Sequence, residues 1–94
     1  MKYFDWNENK NELLKLERDV SFEEVVIAVT SGLLLDDVKH PNPKKYPDQR
    51  IFVVNINNYA YLVPYIEDEE KVFLKTIIPS RVATKNYIIK GGKK

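Results

Sequence analysis

Two runs of alternating residues, Arg50-Ile-Phe-Val-Val-Asn-Ile-Asn57 and Tyr59-Ala-Tyr-Leu-Val-Pro-Tyr-Ile66, meet at Asn57-Asn58. β-Branched and aromatic residues dominate both, and asparagine tolerates positive φ. The pattern predicts an antiparallel hairpin closed by a two-residue turn. Pro64 removes a backbone donor, so an edge or a bulge is expected at that point. Glu67 to Glu70 form the next turn, and Val72 to Ile78 a third strand of the same meander. Leu33-Leu34-Leu35-Asp36 reads as a short strand ahead of the hairpin. Residues 37–49, with Pro41, Pro43 and Pro47, read as a loop.

Two helices precede the sheet. Asp5 or Asn7 can cap the first, which carries Glu8 in its early turn and then Leu13, Leu14 and Leu16. Ser21 and Glu24 have capping-box spacing, with Val20 and Val25 in the positions of a hydrophobic staple, and the helix stops near Ser31-Gly32. Pro79 suits the first turn of a closing helix over Ser80 to Lys90, and Gly91-Gly92-Lys93-Lys94 frays. The expected fold is α+β: one domain over residues 1–94, two N-terminal helices, a four-stranded antiparallel sheet and a C-terminal helix. Helices cover one sheet face and leave the other free to bind.

Charge is divided unevenly. Lys71 to Lys94 holds seven cations and no acid, whereas residues 1–37 hold four cations and nine acids, within a net charge of +1. Such a split concerns partners rather than fold, and RNA phosphate is the first candidate ligand; a solvated basic tail is the alternative. The chain has no cysteine, so it builds no disulfide, thiolate nucleophile or sulfur-based zinc site. His40 is the only histidine, which excludes a two-histidine metal site, and no cofactor or metal is expected. No apolar stretch is long enough to span a membrane, and the N-terminus lacks a signal-peptide core, so a cytoplasmic protein is expected.

Strand alternation puts Tyr59, Tyr61, Val63 and Tyr65 on one face and Ala60, Leu62, Pro64 and Ile66 on the other, taken as core. By the same rule Lys75 falls on the open face of its strand, so Tyr61 and Lys75 are expected to offer stacking and charge together. Arg50 and Arg81 stand at element ends, where guanidinium groups can clamp phosphate; surface ion pairing is the competing role. Ser80 either caps the last helix or contacts phosphate. His40, in the proline loop, has the pKa class of a general base but no evident orienting carboxylate.

Three segments resemble the BrnT-like toxins, small members of the RelE-type toxin superfamily of bacterial toxin–antitoxin operons. Phe4-Asp5-Trp6-Asn7 with Lys10 is similar to that family's opening motif. Val20-Ser21-Phe22-Glu23-Glu24-Val25 is similar to its Val-Ser-Phe-Glu-Glu-Ala helix start, and Ile77-Ile78-Pro79-Ser80-Arg81-Val82-Ala83-Thr84-Lys85 to its Ile-Ile-Ser-Ala-Arg-x-Ala-Thr segment. The chain departs where Arg18-Asp19 replaces Lys-His-Gly and where Lys75 stands in place of a frequent arginine. The resemblance implies metal-independent RNA cleavage that inhibits translation, and neutralisation by a cognate antitoxin in a heterotetramer. It makes Arg50, Lys75 and Arg81 the catalytic cations. Ser80, Lys85, Tyr61 and Tyr87 become RNA contacts, with either tyrosine stacking a base or handling a proton. A catalytically inactive fold that only binds protein or RNA is the alternative.

Overall fold

The hairpin forms the centre of the structure, a computed structural model that describes residues 2–90. Strands β3 (Gln49–Ile56) and β4 (Tyr59–Glu67) pair antiparallel from Gln49↔Ile66 to Ile56↔Tyr59. Asn57 and Asn58 turn the chain with φ of 53° and 65°. Both lie in the left-handed region that asparagine tolerates better than most residues. β2 (Leu34–Lys39) extends the sheet antiparallel beyond β3, with a bulge between Leu34 and Asp36. β5 (Lys71–Leu74) lies on the other side of β4, and β1 (Tyr3–Asp5) runs parallel to β5 at the far edge. A two-residue strand, β6 (Ile78–Pro79), pairs with β4 at Tyr61 and Leu62.

The fold is therefore α+β, but the sheet is mixed and six-stranded rather than antiparallel and four-stranded. Tyr3-Phe4-Asp5 is too short to show an alternation, and its partner Lys71–Phe73 lies far along the chain, so no local signal marks it. β2 continues to Lys39, into the expected loop, because Asp37, Val38 and Lys39 all pair with β3. The expected strand from Val72 to Ile78 is interrupted. β5 pairs with β4 at Tyr65–Glu67 and β6 at Tyr61–Leu62, and the gap falls beside Pro64, which has no N–H to donate. Within the gap the Lys75 N–H still donates to the Pro64 carbonyl at 2.8 Å. The break turns Ile77 fully into the core instead of onto the face of Lys75.

Helices lie on both sheet faces. α1 (Glu8–Arg18) starts at Asn7, whose side chain accepts the Lys10 N–H at 3.0 Å. α2 (Phe22–Thr30) starts at the Ser21–Glu24 capping box, with Val20 and Val25 both buried. They cover the face carrying Phe52, Val54, Ile56, Val63 and Tyr65, and Phe22 stacks on Trp6 at 5.6 Å. The C-terminal segment, α3 (Arg81–Ala83) and a π-helical continuation (Thr84–Ile89), covers Val53, Ala60 and Leu62 on the opposite face. The open second face that the strand pattern predicts is thus largely occupied. The larger core lies on the Tyr61–Val63–Tyr65 face, the reverse of the expected assignment. The closing helix starts after its Ser80 cap, and only Arg81–Ala83 is α-helical before the chain passes into the π-helix Thr84–Ile89. Gly91 to Lys94, expected to fray, lie outside the described residues.

Asn11 ties the two N-terminal helices together. It is fully buried; its Oδ1 accepts the Phe22 N–H at 2.7 Å, while Nδ2 donates to Glu23 at 2.8 Å and Glu8 at 3.2 Å. The Phe22 N–H is one of the free donors at the start of α2, so Asn11 supplies a cap from a different helix. Asn11→Ala leaves that donor buried and unpaired, a cost of about 1–3 kcal/mol. Thermal unfolding of this variant is expected to shift down by about 5–20 °C for a domain of this size. An unchanged midpoint would show that the contact does not hold the helices together.

Candidate nucleic-acid interface

The interruption after β5 also places the cations. Lys75 sits beside Pro64, and the Ser80 N–H donates to the Ala60 carbonyl at 3.0 Å, so the Lys75–Arg81 stretch runs along one side of β4. Four residues of strand put Lys75 and the start of α3 about 13 Å apart. Lys85 follows Arg81 by about one helical turn. Lys75, Arg81 and Lys85 are all exposed, and none forms an ion pair among the described residues. A fourth cation reaches this edge from α1: Arg18 Nη1 donates to the Ile77 carbonyl at 2.6 Å. Segmental charge counting hides Arg18, because it belongs to the acidic N-terminal third. Its one sequence signal is its place at the end of α1.

Arg50 stands apart from Arg81. It pairs across the sheet with Tyr65, next to the Pro64 that meets Lys75 but five residues along β4, or about 17 Å of strand, from the Ala60 that meets Ser80. Its Nε donates to Asp37 Oδ1 at 3.2 Å and its Nη2 to the Asp37 carbonyl at 3.1 Å. Arg50 thus takes the competing role of a surface ion pair, with Asp37 as the acid. Tyr65 is buried, and its hydroxyl donates to the same Asp37 oxygen at 2.7 Å. Burial first, then that hydrogen bond, pushes the Tyr65 phenol strongly upward, so it serves as a donor and not as a base.

The other expected contacts are largely engaged. Ser80 caps α3, its hydroxyl accepting the Ala83 N–H at 3.0 Å, which is the structural one of its two proposed roles. Tyr61 is half-buried against the larger core and forms an edge contact with Tyr59 at 5.6 Å. It does not share an open surface with Lys75, because Tyr61 faces the helix layer while Lys75 lies over the Phe73 ring at 5.8 Å. Burial, followed by the nearby Glu24 carboxylate, raises the Tyr61 phenol above its ordinary value. Tyr87 packs in the smaller core and donates its hydroxyl to Asp36. The exposed cations of this edge can neutralise a string of phosphates, and the tyrosines brace the sheet.

Asp36 and Asp37 are consecutive, yet they serve opposite faces of β2, one held by Tyr87 and the other by Tyr65 and Arg50. The Tyr87 hydrogen bond, then the Asp37 N–H, lowers Asp36 below its ordinary value of 3.8. A folded-state pKa below the unfolded one gives stability that is present above the unfolded value and lost as pH falls through the folded one. Tyr87→Phe is therefore expected to unfold more easily than the wild type at neutral pH. The difference should shrink in acid below the ordinary carboxylate range. Urea unfolding at neutral and acid pH checks this; a difference independent of pH would place the effect in packing instead.

Compared with protein-family models, with curated proteins and with solved structures, the chain matches none.

Proposed function

We propose that the chain is a BrnT-like toxin, RelE-like in fold, from a bacterial toxin–antitoxin pair that acts on RNA in the cytoplasm. The observation that carries this reading is the row of exposed cations Lys75, Arg81 and Lys85 along one side of β4, none of them ion-paired among the described residues. Cations held on strand and helix ends present fixed positive charge to a phosphate backbone without first breaking ion pairs. The Ile77–Lys85 motif that resembles the family supplies most of this row. Cleavage on this reading needs no metal. An RNA 2′-hydroxyl attacks the adjacent phosphorus, the 5′-oxygen of the next nucleotide leaves, and Arg81 and Lys75 stabilise the charge gathered on the phosphoryl oxygens. A cognate antitoxin that covers the same edge with acidic side chains would block it.

One observation favours the second reading, an inactive domain that binds RNA or a protein. Arg50 is bound to Asp37, and its partner Tyr65 lies about 17 Å of strand from Ala60, where Ser80 and the start of α3 dock, so Arg50 and Arg81 do not converge. Induced expression separates the two readings. The toxin reading expects growth arrest with loss of intact RNA from the wild type and relief by Lys75→Ala/Arg81→Ala, both positions being exposed. Unimpaired growth with intact RNA would leave the binding reading.

A further inference from the structure

Arg50 belongs to a second basic site, on the other side of the hairpin's open end. Lys39 of β2 stands directly opposite Arg50 of β3. Opposed residues in an antiparallel pair have Cβ atoms about 5 Å apart, and like charges there destabilise the sheet unless an anion sits with them. Asp37 answers Arg50 in part, but Lys39 forms no ion pair among the described residues. The two cations line a cleft of about 340 Å³, closed on its far side by the proline loop.

That loop contributes paired rings to the cleft. His40 and Tyr46 lie 4.4 Å apart with their planes tilted by 40°, and Lys45 sits over the Tyr46 ring at 5.4 Å. The Asn42 N–H donates to His40 Nδ1 at 3.0 Å. A ring nitrogen that accepts leaves the proton of neutral imidazole on Nε2, so His40 offers a donor here and not the general base its type suggests. Asp48 is the one acid on the wall. A neighbouring cleft, which shares Arg50 and Asp48, carries Glu67, Asp68 and Glu69 and disfavours anions, so the Lys39 side of Arg50 is the anion side.

We infer that this cleft binds a nucleotide, with phosphate between Lys39 and Arg50 and the base against the His40–Tyr46 ring pair. A free nucleoside monophosphate and one residue of an RNA strand share that chemistry. The inference deepens the RNA reading but uses none of the residues in the Lys75–Arg81–Lys85 row, so the two can fail separately.

The test is NMR titration of the full chain with AMP, with inorganic phosphate and with a short RNA, following the His40 and Tyr46 ring resonances. Saturable shifts with AMP, weakened at least fivefold by Lys39→Gln and by Tyr46→Leu, are the expected result. Absence of saturable AMP shifts, indifference to Lys39→Gln, or phosphate binding as tightly as AMP would each overturn the nucleotide site. RNA binding without AMP binding would reject the cleft and keep the cation row. AMP binding without RNA binding would keep the cleft and reject the RNA reading.

Discussion

Everything in this fold is hung on the register of the β3–β4 hairpin, and the two asparagines at its turn set that register. With Asn57 and Asn58 at positive φ, Phe52, Val54, Ile56, Val63 and Tyr65 all face α1 and α2. The same register turns Val53, Ala60 and Leu62 towards the C-terminal helical segment. Because side chains alternate with period two, a slip of one residue would exchange the two faces and open both cores at once. The N-terminal helices and the C-terminal segment therefore depend on one tight turn.

Polar ties then fix the sheet's margins. Asp36 and Asp37 anchor the edge strand β2 to both faces, through Tyr87 on one side and Tyr65 with Arg50 on the other. At the opposite side of β4, Pro64 opens a gap in the ladder, and Arg18 holds the Ile77 carbonyl as the chain passes through it. That detour buries Ile77 and leaves Lys75, Arg81 and Lys85 exposed in series. Structure and charge pattern are linked here: the break that completes the core also leaves these cations exposed, with no ion pair among the described residues.

Local signals in the chain were sufficient for the hairpin, its turn and the Ser21–Glu24 capping box, because each rests on neighbouring residues, whereas Pro64 pointed to an edge or bulge and not to the break in the strand beside it. The parallel strand Tyr3–Asp5 was not legible, since its pairing with Lys71–Phe73 leaves no periodicity in three residues. The covering of both sheet faces was equally hidden. Each strand of the hairpin is apolar on both sides, and alternation alone cannot say which side receives which helix. The site was legible as a set of residue types but not as a constellation. Arg50 and Arg81 look equivalent at element ends, yet about 17 Å of β4 separates their positions, Arg18 is marked only by its place at the end of α1, and Lys39 shows its role only through its pairing with Arg50.

The central claim is that the Lys75–Arg81–Lys85 edge engages phosphate directly. The salt dependence of binding between the purified protein and a short single-stranded RNA tests this most plainly. Three phosphate contacts predict that log affinity falls against log salt with a slope of about −2. A slope near zero, or no binding at low salt, would contradict the claim.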